Sequence, residues 1–325
     1  MGLNYKHHFM TLNTSQKSIY ELICKTIRSR GDSVTLPFVH ANEIWIAFEA
    51  VLADHPGIFY TNSYQYSKDL NKRKIVFQPE YRFSDREIKN HQSTLSSSLA
   101  FFDTEQKKSN YEKVLYVHDS ILHNVEYDYS TADEAHSALG ITINSRAVCE
   151  GITKYVKLAL DYLSVKSIVV SGRATNPAFE QYETENHAWN MVEVDGKWYH
   201  LDVTFDLTIK HRLSRYDYFL VRDEEIKRSH STANKLPPTS THPMDFYTKN
   251  GTTVRNINEL EKLVYNAINA GQRVMQFKLL TVGNEDVPTD EVLEAVGRQC
   301  SMLLDSYSIE MRYNEALWVF EVEIK

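Results

Sequence analysis

Apolar residues recur at helical or strand spacing through the first part of the chain. Residues 15–30 and 41–56 carry them at helical spacing, and residues 33–38 form a short apolar run typical of a strand. Residues 57–67 and 73–83 alternate as a strand pair does and predict a hairpin. The pattern predicts the order αβαββ, followed by a polar helix from about Ser84 to Leu115 that is interrupted near Asp103.

The last 70 residues repeat this order. Residues 256–271 and 288–306 have the helical pattern, and Gly271 and Pro288 stand where a helix would stop and start. Residues 272–280 predict a strand, and residues 307–324 predict a strand pair that turns near Asn314. The repeated order predicts either an internal structural duplication or two unrelated small α/β units.

The middle of the chain contains two helical patterns and three strand patterns. The helices are predicted at residues 113–130 and 145–163, and the strands at 167–174, 186–194 and 197–206. Asp195 and Gly196 separate the last two strands, and an Asp-Gly pair is the strongest short-range signal of a two-residue hairpin turn.

The predicted hairpin brings a histidine and an aspartate together. With Asp195 and Gly196 in the turn, Trp189 lies opposite Asp202 and His187 lies opposite Thr204. His187 and Asp202 are then diagonal neighbours, about 7 to 8 Å apart at the backbone, and we expect their side chains to be hydrogen-bonded. The alternation predicts that Asp202 lies on the less buried face of its strand.

Cys149 stands at the predicted start of a helix. The positive end of the helix dipole and the unpaired amides of the first turn both favour a thiolate there. With His187 as base and Asp202 as orienting carboxylate, the set follows the logic of a catalytic triad. A structural Cys149 is the alternative, because free cysteine is among the most buried residue types, and Cys24 and Cys300 lie within apolar helix patterns and are expected to be structural.

A metal site is a second alternative for the same residues. Zinc could be held by Cys149, His187, His200 and Asp202, but the sequence lacks the closely paired ligands typical of zinc sites. We therefore expect no metal and no cofactor.

Composition narrows the class of protein. The net charge is -7 and the pI is near 6.0, with no long basic run, which argues against a nucleic-acid partner. No apolar stretch reaches the roughly 18 residues of a membrane span, and the N-terminus lacks a signal-peptide pattern, so a cytoplasmic location is expected. Three widely spaced cysteines make no disulfide framework.

Four runs in the middle of the chain resemble a known enzyme family. The runs AVCEGITKYVKLAL, VVSGRA, NHAWNMVEVDGKWYHLDVTFD and RYDYFLVRDEEI resemble a bacterial branch of the transglutaminase-like cysteine enzyme superfamily, over about residues 110–230. The resemblance implies an α+β protein with a papain-like catalytic core at residues 106–240. Two small α/β arms, residues 1–105 and 241–325, would flank it. It also implies that Cys149 is the nucleophile, His187 the base and Asp202 the orienting acid.

The departures from the family pattern narrow the expected activity. The residues around Cys149 differ from the GQCW of calcium-dependent crosslinking enzymes, no calcium loop is recognisable, and Phe205 replaces a common Trp. The paired CxxC zinc ligands of peptide N-glycanases are also missing. What remains is a cysteine-dependent hydrolase or acyltransferase that acts on protein or peptide amides through a thioester, as a protease, deamidase or transamidase. The alternative is a non-catalytic scaffold that binds peptides or glycans.

The remaining site residues are expected around the nucleophile. The backbone N–H of Cys149 and a polar side chain of the preceding loop should form the oxyanion hole, with His136 preferred, although His136 could equally serve as a cap or in packing. Ser137 and Trp189 are further candidates for oxyanion or substrate contact. Residues 173–186 are expected to form a loop along the substrate cleft. Their acidic side chains, Glu180, Glu183 and Glu185, would select basic substrates or would simply be solvated.

Overall fold

The computed structural model describes residues 5–130, 132–175, 184–211, 213–280 and 288–325, and it has an α+β fold. Three successive parts of the chain each build a sheet. Among the described residues, no helix combines the length and the apolar character needed to cross a bilayer.

The N-terminal unit has the predicted αβαββ order, preceded by one short helix that the pattern did not predict. Its elements are α1 (His7–Thr11), α2 (Thr14–Arg28), β1 (Val34–Pro37), α3 (Ala41–Asp54), β2 (Ser63–Asp69), β3 (Lys74–Glu80) and α4 (Asp85–Ala100). The sheet order is β1-β3-β2 and both pairs are antiparallel. Reciprocal capping boxes, Asn13 with Gln16 and Ser84 with Glu87, fix the starts of α2 and α4.

The middle part contains the larger sheet. Its elements are α5 (Asn110–Asn124), β4 (Glu126–Tyr127), α6 (Leu139–Asn144), β5 (Arg146–Ala147), α7 (Cys149–Tyr162), β6 (Ser167–Thr175), β7 (Thr184–Val194), β8 (Lys197–Leu201), α8 (Val203–Ile209), β9 (Phe219–Val221), α9 (Asp223–Ile226) and β10 (His230–Ser231). The order β10-β6-β7-β8-β9 is antiparallel throughout. Helix α7 packs on β6 and β7.

The predicted hairpin register is confirmed, but the second strand is shorter than predicted. Asn190 pairs with Leu201 and Val194 with Lys197, around the turn at Asp195 and Gly196. The chain leaves the sheet after Leu201, and Asp202 becomes the N-cap of α8. The prediction of a strand to residue 206 was therefore wrong, because a carboxylate that accepts a backbone N–H starts a helix more readily than it continues a strand.

The predicted face of Asp202 was also wrong. Asp202 is 0% exposed, and its neighbours His200 and Thr204 are buried as well. The alternation suggested a solvated polar face, but the packing of β9, α8 and β10 covers these residues. Their polar character marks a buried hydrogen-bonded group rather than a surface.

The C-terminal unit has the same strand order as the N-terminal unit. Its elements are α10 (Phe246–Lys249), β11 (Thr253–Val254), α11 (Ile257–Asn269), β12 (Val274–Leu279), α12 (Thr289–Leu303), β13 (Ile309–Asn314) and β14 (Val319–Ile324). In both units the first strand of the αβαββ order pairs antiparallel with the third, and the third pairs antiparallel with the second. The C-terminal sheet adds β11 next to β12, in parallel.

The N-terminal unit and the middle part share one hydrophobic core, whereas the C-terminal unit has its own. One cluster runs from the N-terminal unit into the middle part and contains, for example, Ile23, Phe48 and Val156. The C-terminal unit has a separate core, which includes Leu260. A smaller cluster, with Leu317 among its members, joins the C-terminal unit to the middle part. The predicted domain boundaries, 1–105, 106–240 and 241–325, stay predictions.

Candidate active site

Cys149 is the first residue of α7, as predicted. The N-cap of this helix is Val148, which has no side chain able to accept a hydrogen bond, so no side-chain cap occupies the amides of the first turn. Gly151 lets this turn approach the preceding segment closely. A Cβ at position 151 would lie 2.2 Å from the carbonyl oxygen of Ala135. The first turn of α7 therefore places Cys149 at an uncapped, electropositive helix end.

The His187 imidazole on β7 lies between Asp202 and Cys149. Its Nε2 is 2.7 Å from Asp202 Oδ2, so the predicted hydrogen bond is confirmed. Because Asp202 engages Nε2, Nδ1 is the nitrogen left for Cys149, whose side chain is close enough to His187 to raise its pKa. Burial on its own would lower the pKa of His187, but Asp202 and Cys149 outweigh burial and raise that pKa to about 10.

Asp202 accepts three hydrogen bonds. Its Oδ1 accepts the Phe205 backbone N–H at 3.0 Å, and its Oδ2 lies 2.7 Å from His187 Nε2 and 2.9 Å from His230 Nε2. Burial would raise the pKa of Asp202, but the two histidines outweigh burial and hold it well below its usual range. The carboxylate is therefore ionised and fixed in orientation. Sequence reasoning did not identify His230.

Aromatic rings fix the two histidines in place. The Trp189 ring is nearly parallel to His187, with a centroid distance of 6.1 Å and an interplanar angle of 16°. Phe205 lies 4.4 Å from His187 and 4.8 Å from His230 between ring centroids. These contacts exclude water from the Asp202 carboxylate, which strengthens its hydrogen bonds.

The three residues expected to contact oxyanion or substrate are engaged elsewhere. His136 is exposed, and its Nδ1 lies 3.1 Å from Glu150 Oε2. Ser137 donates to the carbonyl of Glu134 within its own turn. Trp189 donates from Nε1 to His200 Nδ1 at 3.0 Å. Their predicted roles stay predictions, and none of these contacts reaches Cys149.

Tyr127 is a neighbour of Cys149 that the sequence reasoning missed. Strand β4 pairs in parallel with β5, which places Tyr127 opposite Ala147, two residues before Cys149. The Tyr127 hydroxyl lies next to the Cys149 backbone N–H, which acts to lower its pKa. Burial and, to a smaller extent, the negative charge of Cys149 raise the pKa of Tyr127 to about 12, so the hydroxyl keeps its proton near neutral pH.

The described residues offer one group of three metal-ligand side chains at this site, which consists of His187, Asp202 and His230. Their hydrogen bonds to one another already engage all three ligand atoms. His200, which belonged to the zinc alternative, is bonded through Nδ1 to Trp189 and through Nε2 to Asp223. We therefore treat the three residues as a hydrogen-bonded cluster.

Both ends of the predicted cleft loop are strand. Thr175 of β6 pairs with Thr184 of β7, so the outer residues of the predicted segment 173–186 are strand. Glu180 and Glu183 lie outside the described residues. Glu185 is close enough to Tyr127 to influence its pKa.

A separate cavity of about 750 Å³ lies in the C-terminal unit between α11 and β12. Lys262, Asn266 and Gln276 are among its lining residues, and the lining includes none of the residues of the Cys149 site.

Comparison with known proteins finds a family match for the segment that contains the three residues. Residues 98–203 match the family model of the transglutaminase-like superfamily, and this segment contains Cys149, His187 and Asp202. This match covers about a third of the chain and confirms the resemblance stated above. His230 lies beyond it.

Two solved structures are similar to the chain at low sequence identity. One is described as a TGase, with 15% identity, a TM-score of 0.32, and coverage of 57% of this chain and 54% of that chain. The other is a Cytophaga hutchinsonii protein proposed to be a cysteine protease, with 16% identity, a TM-score of 0.27, and coverage of 44% and 62%. The chain thus spans less than two thirds of either structure. Comparison with curated proteins finds no match.

Proposed function

We propose that this protein is a cysteine-dependent enzyme that acts on amide bonds of proteins or peptides, with Cys149 as nucleophile. One observation carries the proposal. The Cys149 thiol at the start of α7 is close enough to His187 to raise its pKa, and His187 Nε2 lies 2.7 Å from the fully buried Asp202 carboxylate. A nucleophile, a base and an orienting group in this order are the arrangement that covalent acyl transfer requires.

The chemistry follows from these positions. The Cys149 thiolate attacks the carbonyl carbon of an amide, and the C–N bond breaks as protonated His187 gives its proton to the leaving amine. A thioester to Cys149 remains. Water or a second amine, deprotonated by His187, then attacks the thioester carbonyl and releases the thiolate. Asp202 keeps the imidazole in the required orientation and stabilises its positive charge whenever the ring is protonated.

The oxyanion formed in both steps needs hydrogen-bond donors. We assign this role to the backbone N–H of Cys149 and to the Tyr127 hydroxyl, which lies next to that N–H. The hydroxyl and the N–H lie side by side, so both can donate to one incoming carbonyl oxygen. His136, the residue preferred from the sequence, is paired with Glu150 instead.

Alkylation of Cys149 tests the nucleophile without a known substrate. Treatment with iodoacetamide at pH 6, followed by peptide mass spectrometry, should label Cys149 at least about tenfold faster than free cysteine, because an imidazolium neighbour maintains the thiolate. His187→Gln should lower the Cys149 rate to that of a free thiol. Cys24 and Cys300 provide internal controls, because both are buried and burial raises the pKa of each.

Turnover then separates an enzyme from a scaffold. Casein with a fluorescent primary amine reports amide exchange, and ammonia or peptide release from casein alone reports hydrolysis. Cys149→Ala should abolish either signal without changing the thermal midpoint by more than a few degrees. A Cys149 that alkylates like free cysteine at pH 6 would contradict the proposal and favour the peptide- or glycan-binding scaffold.

A further inference from the structure

His230 is a second histidine on the carboxylate that orients His187. Its Nε2 is 2.9 Å from Asp202 Oδ2, the same oxygen that lies 2.7 Å from His187 Nε2. His230 is 4% exposed and Asp202 is 0% exposed, so solvent does not compete for these bonds. The residue lies outside the transglutaminase-like segment 98–203 and comes from β10, at the edge of the sheet.

The neighbours of His230 define its tautomer. Ser229 Oγ lies 2.8 Å from His230 Nδ1, and the Tyr218 hydroxyl lies 3.2 Å from Ser229 Oγ. When the Ser229 hydroxyl donates to Nδ1, the ring proton must be on Nε2, where it is donated to Asp202. A neutral His230 satisfies every one of these bonds.

The surrounding charges also keep His230 neutral. Burial lowers the pKa of His230, and although Asp202 opposes this, the positive charge of His187 lowers it further. His187, which faces Asp202, Cys149 and His230, has a raised pKa and carries the proton instead. The single carboxylate thus binds one charged and one neutral imidazole, each through Nε2.

A glycine allows β10 to reach this position. His230 pairs with Ala174, and Ser231 pairs with Arg173 of β6. A Cβ at Gly172 would lie 2.2 Å from the Ser231 carbonyl oxygen and 2.8 Å from the Trp189 ring. The close approach of β10 to β6 therefore requires glycine at 172. This approach places His230 next to the Asp202 carboxylate.

We propose that His230 is a positioning residue, whose Nε2–H holds the Asp202 carboxylate in the orientation that binds His187. The inference rests on the proposed function, because it adds a fourth member to the Cys149, His187 and Asp202 set. Without His230, the carboxylate keeps only the Phe205 N–H to oppose its rotation away from His187. A freely rotating carboxylate stabilises the imidazolium less, and the imidazolium in turn maintains the Cys149 thiolate.

Two substitutions separate the hydrogen bond from the packing. His230→Gln keeps an N–H donor at about the position of Nε2, whereas His230→Phe keeps a ring between Phe205 and Trp189 but has no donor. The readout is the rate of Cys149 alkylation by iodoacetamide between pH 4 and 9, with the thermal midpoint as a check of folding. We expect His230→Phe to move the inflection of the alkylation profile up by about one pH unit and to lower the rate at pH 6 by roughly tenfold. His230→Gln should retain the wild-type profile.

The outcomes distinguish this inference from the function on which it rests. Wild-type alkylation like that of a free thiol overturns the proposed function and, with it, the inference. A wild type that is reactive at pH 6, together with a His230→Phe profile equal to it, overturns only the positioning role. If His230→Phe does not fold, Ser229→Ala replaces it. That variant removes the donor to Nδ1 and should shift the inflection in the same direction by a smaller amount, whereas an unchanged profile overturns the inference.

Discussion

At the scale of single residues, the charge of His187 depends on partners from two other elements. Burial favours the neutral ring, whereas Asp202 at the start of α8 and Cys149 at the start of α7 favour the charged one and raise the pKa to about 10. An unperturbed histidine has a pKa of about 6.5. The folded protein therefore holds the His187 proton over a range in which the unfolded chain has released it.

This difference predicts how stability depends on pH. The stabilisation from His187 is complete below about pH 6.5 and is lost as the pH rises toward about 10, because only the folded state keeps the proton in that window. The difference in unfolding free energy between wild type and His187→Gln should therefore be larger at pH 6 than at pH 9.5, as measured by urea denaturation.

The same pair of measurements in a Cys149→Ala background is the control, since it removes the thiol's own titration. The difference in unfolding free energy should again be larger at pH 6 than at pH 9.5. Its dependence on pH should be weaker, because Cys149 is one of the groups that raise the pKa of His187. A difference that stays constant or grows between pH 6 and pH 9.5 would show that His187 is neutral in the folded state.

At the scale of elements, the pairing of β4 with β5 positions Tyr127 next to the backbone of Cys149. Each strand is only two residues long, and the register places Tyr127 opposite Ala147. Tyr127→Phe removes the proposed oxyanion donor but leaves the ring. We expect kcat in the casein assay to fall by roughly 100-fold with little change in KM, because the donor acts only on charge formed in the transition state.

Alkylation again provides the matched control. Iodoacetamide reacts with Cys149 by displacement at carbon and forms no oxyanion, so Tyr127→Phe should alkylate at the wild-type rate. Equal losses in turnover and in alkylation would mean that Tyr127 acts on the thiolate and not on the oxyanion.

The sequence predicted those elements that have a strong local signal. Helical periodicity located α7 and its start at Cys149, and the Asp-Gly turn gave the register of β7 and β8 up to Leu201. This register correctly predicted that His187 and Asp202 are neighbours, although Asp202 contacts His187 from the N-cap of a helix and not from a strand. The face assigned to Asp202 was wrong because alternation distinguishes polar from apolar residues, and a buried polar cluster has the same pattern as a solvated face.

Tyr127 and His230 could not be predicted in this way. Both residues lie in two-residue strands, which are too short to show a periodic pattern. Each strand is held at the site by pairing with a strand that other elements separate from it in sequence, β4 with β5 and β10 with β6. The one sequence feature that could have indicated β10 is Gly172 within a strand pattern, since an isolated glycine there often marks the close approach of another backbone.

At the scale of the whole molecule, the two terminal units have the same strand order but different relations to the site. Their shared order, first strand to third and third to second, agrees with an internal duplication. Among the described residues, the N-terminal unit shares one hydrophobic core with the middle part, whereas the C-terminal unit has a core of its own. We infer that the N-terminal unit supports α7 directly, whereas the C-terminal unit contacts the middle part through the small cluster around Leu317 and through the buried ion pair of Lys278 with Glu225.

This difference between the cores predicts which parts of the chain a core substitution destabilises. Ile23 and Leu260 are both 0% exposed, one in the shared core and one in the C-terminal core. Each change to Ala should cost about 2–5 kcal/mol in the unit that contains it. Under hydrogen exchange read by mass spectrometry, Ile23→Ala should increase exchange in α2 and α7 together, because they share one core. Leu260→Ala should increase exchange within residues 254–324 and leave α7 near the wild-type rate. If exchange in Ile23→Ala increases only within residues 5–100, the N-terminal unit opens independently and does not support Cys149.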